Sequence, residues 1–578
     1  MPPAAGNAVR IHRRLGDAGV LPETIPAILR RVYANRGIRE AESVDLNLGG
    51  LLPFQPLRGI EAATERLDAA IQANQHILVV GDYDADGATA TALALAGLQS
   101  LGAQRVSYLI PDRFEHGYGL SPAIVDLAAA RRPDLILTVD NGIASVEGVA
   151  RATSLGLPVI VTDHHLPGDR LPEAAAIVNP NQPGCEFAGK HLAGVGVMFY
   201  VLAALRARRL ASGCIDPDKA RLADLLDLVA LGTVADLVPL DRNNRILVAQ
   251  GLRRLRAGRG RPGIVALARV AGRTLDRLSE TDIGFALAPR LNAAGRMDSM
   301  TLGVECLLAP DEQTALALAA ELDGLNRDRR QRQGRMESQA QAQMERWLAA
   351  AEDEDPLGYC LFDADWHEGI VGLVAGRLKE RTHRPAVAFA RSGDGRLKGS
   401  VRSIPGVHAR DVLANIARAR PELLPRFGGH AMAAGLSIPD AQLDAFRRAW
   451  LGELERWMSD AVRERRLDSD GPLTAAHLTV ETAGVLENGG PWGQGFPPPS
   501  FDEQFELIDQ RIVGDAHLKM RLCPVDGGPI IDAIMFRRDQ LLPEGRPLHC
   551  VYRAELNRYQ GREQLQLVVE HVQPAGAC

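Results

Sequence analysis

Between residues 60 and 240 the chain alternates two apolar patterns. Helical periodicity over 61–73 leads into the short β-branched run 76–80, and helical periodicity over 88–101 leads into the run 105–110. Two further runs, 135–139 and 158–162, follow with a helical stretch between them. Strand-like runs alternating with amphipathic helices predict a parallel sheet with crossover helices. Ligands bind such sheets beyond the carboxyl ends of the strands.

The rest of the chain divides by pattern. Residues 240–350 read as mostly helical, with an Arg-rich segment (Arg253, Arg254, Arg256, Arg259, Arg261) and a long polar helix over 311–349. That helix is expected to connect domains, although Gly334 weakens its middle. A second α/β unit spans 356–455, with strand 358–362, helix 369–381 and strand 386–390. The charged stretch 453–468 and the Gly/Pro cluster 489–499 mark a boundary. Runs at 505–513, 517–523, 529–536, 549–557 and 564–572 then predict a small barrel of the OB type. The expected division is an N-terminal helical extension (1–45), a first α/β domain (46–265), a helical connector (266–350), a second α/β domain (351–455), and a linker with the barrel (456–578).

At 578 residues the chain is too long for one core. A hydrophobic content of 46% with 24% charged residues is that of an ordinary globular protein. No apolar run approaches the ~20 residues of a membrane helix, and the N-terminus lacks signal-peptide character. The seven cysteines are scattered with no CxxC pair, which fits reduced thiols and a cytoplasmic setting. A net charge of -6 argues against a generally basic coat for nucleic acid and leaves local basic grooves open.

The chemistry concentrates at the ends of the β-runs. Asp82-Tyr83-Asp84-Ala85-Asp86-Gly87 packs three carboxylates directly after an apolar run. Burying even one of them is costly unless it is neutralised, and a divalent cation with oxygen ligands is the simplest neutraliser. A solvated acidic turn is the competing account. Three more segments repeat the arrangement: Val139-Asp140-Asn141-Gly142, Thr162-Asp163-His164-His165, and the run 229–235 ending in Asp236. Four acidic strand ends, one with paired histidines, are hard to attribute to turns alone. Imidazole and carboxylates without thiolates favour manganese or magnesium over structural zinc.

In their order, these four motifs resemble those of the DHH phosphoesterases. Trp366-His367-Glu368-Gly369-Ile370-Val371-Gly372, Gly399-Ser400-Val401-Arg402-Ser403 and the segment Phe427–Gly435 resemble the DHH-associated domain. With the barrel, residues 50–575 are similar to the family's single-strand-specific 5′→3′ DNA exonucleases. The resemblance implies hydrolysis to 5′-mononucleotides by two divalent cations, Mn2+ or Mg2+, in DNA recombination and repair. Asp82, Asp84 and Asp140 would hold one ion, and Asp86, Asp140, His164 and Asp236 the other, with Asp140 shared. Asp163 would orient the histidines and His165 would face the scissile phosphate. Arg113, Arg296, Ser400, Arg402 and the Gly428-Gly429-His430 loop would line the end pocket and the DNA path. The implied partners are single-stranded DNA with a 5′-phosphate end, a single-strand DNA-binding protein and a helicase. The protein is expected to be monomeric and off the membrane.

The barrel adds its own pattern. Alternation places His517, Lys519 and Arg521 on one face of a strand, and Phe536, Arg537, Arg538, Tyr552, Arg553, Arg558 and Tyr559 add aromatic and cationic groups nearby. Stacking platforms beside cations suit single strands without sequence preference, although strand aromatics also build cores. A phosphoesterase for small substrates needs neither barrel nor length, and a non-catalytic scaffold would not need four intact motifs.

Overall fold

The computed structural model describes residues 9–112, 119–216, 218, 220–350, 356–366, 368–392, 395–514, 516–559 and 562–575. The expected helical extension at the N-terminus is mostly something else. Among its described residues it holds strand β1 (Val9–Arg13), the 3-10 turns Ala18–Val20 and Ala41–Ser43, and one α-helix, Ala27–Ala34. Gly16, Gly19, Pro22, Pro26 and Gly37 leave no room for a longer helix.

Five parallel strands form the first sheet: β2 (Ile77–Val80), β3 (Val106–Leu109), β4 (Leu135–Val139), β5 (Val159–Thr162) and β6 (Ala176–Val178). Their spatial order is β3-β2-β4-β5-β6. Alternate residues feed two cores. Ile77, Val79, Leu135 and Leu137 pack on one face, and Leu78, Val80, Ile136 and Val161 on the other. The chain leaves β2 to one side for β3 and returns on the other side for β4. The crevice beyond the carboxyl ends of β2 and β4 is therefore a topological switch point, where α/β sheets bind ligands. Asp82 and Asp140 follow those two strands.

The fourth acidic strand end is not a strand. Residues Leu226–Ala235 form a helix, buried along most of its length, and Asp236 is its C-cap. An apolar run of this length fits a buried helix as well as a strand, and periodicity cannot separate the two.

The long polar helix of the connector is continuous over Glu312–Ala350, 39 residues. Beyond it lies a mixed sheet of β7 (Tyr359–Phe362), β8 (Ala386–Ser392), β9 (Arg396–Arg402), β10 (Arg426–Gly429) and β11 (Ala433–Pro439), in the order β10-β11-β9-β8-β7. Strand β12 (Arg465–Ser469) pairs in parallel with β1. The Gly/Pro cluster is a packed corner rather than an open linker. Trp492 stacks on Phe496 with centroids 5.1 Å apart, Arg36 lies over both rings, and Tyr33 Oη donates to the Gly489 carbonyl at 2.8 Å.

Strands β13 (Phe501–Val513), β14 (His517–Pro524), β15 (Ile531–Phe536), β16 (Leu548–Tyr559) and β17 (Arg562–Pro574) close into a barrel in the order β13-β14-β15-β17-β16. Leu518, Met520 and Leu522 face inward and are buried, which turns His517, Lys519 and Arg521 outward. Phe536 is exposed and meets the His517 ring edge-on at 5.3 Å. Tyr552 is one of the strand aromatics that build core and not a platform: it is fully buried and packs against Phe501 and Phe505. Arg553 and Arg558 are corrections. Arg553 pairs with Glu555 and Glu570, and Arg558 with Glu487 and Glu563, so their charge is already neutralised.

Candidate metal centre

Each acidic motif is held by local structure. Asp84 caps the helix Ala85–Ser100, accepting from Gly87 N–H at 2.9 Å, and its neighbours Asp82 and Asp86 join different donor groups. Asp86 is buried against the start of the helix Gly194–Ala211, where its two oxygens accept from Gly194 N–H at 2.6 Å and Val195 N–H at 3.0 Å. Asp140 adopts a left-handed backbone with φ +62°, a strained state for a residue other than glycine. Asn141 holds that turn by donating to the carbonyls of Val80 and Val139, and Thr138 Oγ donates to Asn141 O.

The carboxylates converge. Donor atoms of Asp82, Asp84 and Asp140 lie within 4.8 Å of one another, as do those of Asp86, His164 and Asp236, and those of Asp140, His164 and His165. His164 Nε2 stands 3.2 Å from Asp140 Oδ1 and 3.5 Å from Asp236 Oδ2. Asp140 thus reaches both donor groups.

Electrostatics describe a nest that resists ionisation without a cation. Burial, and then the neighbouring carboxylates, push Asp86 and Asp140 well above the usual range. Burial and Asp84 raise Asp82 to about 7, and the same two causes raise Asp236 to about 7. His164 is pulled down to about 4 by burial and by His165, so it is a neutral ligand at neutral pH. Its buried Nε2 makes no hydrogen bond among the described residues, although it points among carboxylates. An aimed imidazole lone pair with several oxygen donors fits a divalent cation of the Mn2+ or Mg2+ type. His165 differs. Burial alone would lower it, but the hydrogen bond to Asp163 and the surrounding carboxylates raise it to about 9.

The other expected residues form a second group on β9, β10 and β11. Ser400 and Arg402 share one face of β9, and Arg402 Nη1 donates to Ser400 Oγ at 2.7 Å. Gly428 pairs with Gly435, which pairs in turn with Ser400, so the glycine loop shares a row with the serine. Gly429 has φ +141°, and its Cα faces the Ala433 carbonyl so closely that only glycine fits. His430 N–H donates to that same carbonyl at 2.8 Å. Burial lowers Arg402, and among the described residues no carboxylate offsets it. Arg296 is exposed on the helix Ala288–Met297, which abuts the Asp82–Gly87 turn. Arg113 lies outside the described residues.

Family models match the chain in three places: the DHH family N-terminal domain at 76–233, the DHHA1 domain at 354–456, and the RecJ OB domain at 469–571. The single-stranded-DNA-specific exonuclease RecJ of Salmonella typhimurium is 49% identical over 97% of this chain and 98% of its own length. The chain belongs to the RecJ family. RecJ of Escherichia coli K12 is 48% identical over the same shares. The crystal structure of RecJ from Thermus thermophilus in complex with Mn2+ superposes with a TM-score of 0.76 at 30% identity, covering 98% of this chain and 80% of that one. The Mg2+ complex of the same protein gives 0.71 at 28% identity.

Within this RecJ-family fold, one residue of the nest went unread in the sequence. A Cβ on Gly194 would collide with the Asp140 carboxylate. Its signal was a glycine pair, Gly194-Val195-Gly196, opening a helix whose N–H groups face an anion.

Proposed function

We propose that this chain is a metal-dependent exonuclease that degrades single-stranded DNA from its 5′ end to 5′-mononucleotides, in DNA recombination and repair. Asp140 carries the reading: one buried carboxylate serves two donor sets, in a chain whose relatives are RecJ exonucleases, one of them solved with Mn2+ and with Mg2+. Asp82, Asp84 and Asp140 would hold one ion, and Asp86, His164 and Asp236 the other, with Asp140, 3.2 Å from His164, shared between them. Such cations, when bound, supply an activated water and neutralise charge on the phosphate.

The protein's own groups do the rest. His165, cationic at neutral pH, donates to a phosphate oxygen as charge builds there. Asp163 holds its ring in place. Ser400, Arg402 and the Gly428–His430 loop receive the terminal 5′-phosphate, and Arg113 and Arg296 guide the strand. Catalysis is assigned to 46–265, end recognition to 351–455, and strand binding to the outward face of β14 and β15 within 456–578, with 266–350 as connector.

The test is incubation of 5′- and 3′-labelled single-stranded and duplex DNA with Mn2+ or Mg2+. Mononucleotide release from single-strand 5′ ends supports the reading, and cleavage confined to dinucleotides, or none, overturns it. Asp140→Ala should abolish cleavage and keep strand binding. Wild-type turnover by that variant would sink the shared-ligand assignment.

A further inference from the structure

The connector helix carries Arg327, Arg329, Arg330, Arg332 and Arg335, for which the metal centre and end group have no use. It packs along the helix Ala288–Met297. At one point in that contact Arg290 meets Asp323, with Nε at 2.9 Å and Nη2 at 2.8 Å from Oδ1, an ordinary acid–base pair. Further along the same two helices stand Arg296 and Arg329, and the charge of Arg296 bears on Arg329. There the acid is missing. Arg327 turns back to Asp323 at 3.2 Å, whereas among the described residues Arg296 and Arg329 have no ion pair. Beyond burial, the charges acting on Arg329 are Arg296 and Arg330, and both depress it.

Arg329 is nonetheless held in place. Its Nη2 donates to Asn326 Oδ1 at 3.0 Å and its Nη1 to Gln333 Oε1 at 2.9 Å, and Asn326 is fully buried. Holding the half-buried Arg329 guanidinium within reach of the like charge of Arg296 is unfavourable unless an anion lies with it.

Position identifies the anion. Asn292 Oδ1 accepts from Ala85 N–H at 2.9 Å, and a Cβ on Gly295 would collide with the Tyr83 carbonyl, so the Arg296 helix lies against the Asp82–Gly87 turn. Two turns beyond Arg329, Met336 packs on the cluster of Trp366, Ile370 and Val371 in the second α/β unit. Next to that cluster, Gly372 abuts Arg402. Arg329 therefore stands on the bridge between the metal donors and the end group.

We propose that Arg329, together with Arg296, clamps a backbone phosphate of the single strand between these two groups, as a positioning residue for cleavage. This deepens the exonuclease reading and rests on it. A phosphodiester is the occupant because two fork-shaped cations match its paired oxygens, and a strand joining the two groups must pass this point.

The test uses the full chain as wild type, Arg329→Ala, Arg329→Gln and Arg329→Lys, binding a 5′-phosphorylated oligothymidylate across a salt series. One phosphate contact on a single strand contributes about 0.7 to the slope of log affinity against log salt. Arg329→Ala and Arg329→Gln should lose about that much slope and bind about tenfold more weakly. Arg329→Lys should keep the slope, and all should melt like wild type. A single methylphosphonate that weakens wild-type binding should cost Arg329→Ala nothing more. Wild-type slope and affinity in Arg329→Ala, alongside wild-type protein that cleaves single strands, overturns the clamp alone. Wild-type protein that cleaves no single strand overturns the exonuclease reading and the clamp with it.

Discussion

His165 Nδ1 stands 2.8 Å from Asp163 Oδ1, and the same carboxylate accepts the backbone N–H groups of Ile143, His164 and His165. One buried acid thus fixes both the charge and the direction of the ring beside the nest. Asp163→Asn keeps the size and most acceptors but removes the charge. It should lower kcat by roughly 10–100-fold, as losses of such supporting carboxylates do. Manganese stoichiometry should be unchanged, and steady-state kinetics with metal titration check both.

Metal removal should make the protein sensitive to neutral pH. Asp82 and Asp236 are raised to about 7 in the folded state, so the fold binds protons that the unfolded chain has already released. Their stabilising effect is complete below the ordinary carboxylate range and is lost as pH rises to about 7. Chelated protein should therefore lose melting temperature over pH 4–7, and Asp236→Asn should flatten that slope. Saturating Mn2+ should raise the melting temperature most at pH 7 and above, since it binds only the folded nest.

Gly194→Ala should destroy activity without unfolding the domain. The new methyl collides with Asp140, while the helix around it loses nothing and gains propensity. A wild-type circular dichroism spectrum with loss of one or both bound Mn2+ ions is expected. Normal metal content in this variant contradicts the packing.

Arg402→Ala should discriminate between ends. Its half-buried guanidinium has no carboxylate partner among the described residues, so a terminal phosphate is its natural counter-charge. Processing of 5′-phosphorylated strands should fall at least tenfold further than that of 5′-hydroxyl strands, an energy typical of one charge-assisted contact. An equal loss on both moves Arg402 out of the end pocket.

Arg13→Ala should loosen the barrel from its N-terminal strap. Asp502 is fully buried and accepts from Arg13, Ser469 and His549. Losing the Arg13 fork leaves that carboxylate short of donors, at a cost of about 1–3 kcal/mol. Urea unfolding followed by tryptophan and tyrosine fluorescence should show it. Asp502→Asn should also lose the stability that a carboxylate held below its usual range contributes above about pH 4.

The parts legible in the sequence are those in which chemistry and backbone are neighbours. Asp82–Asp86, Asp140 and Asp163–His165 each follow an apolar run directly, and strand alternation alone turned His517, Lys519 and Arg521 outward. The five barrel strands were legible for the same reason, since period-two burial is a local property. Asp236 shows the limit. Its motif was readable, but the apolar run 229–235 before it became part of a buried ten-residue helix because its neighbours surround it.

What only the tertiary structure decided is which groups meet. Gly194 stands 54 positions from Asp140 yet leaves it no space for a methyl group, and the charge of Arg296 reaches Arg329 because two helices pack side by side. Tyr552 fills the barrel interior in phase with Leu548, Cys550 and Ala554, and only barrel closure decides that Phe501 and Phe505 are what it meets. Sequence order sets the direction of a side chain relative to its own strand or helix. Who lies opposite depends on long-range packing, and that is settled only when the elements close on one another.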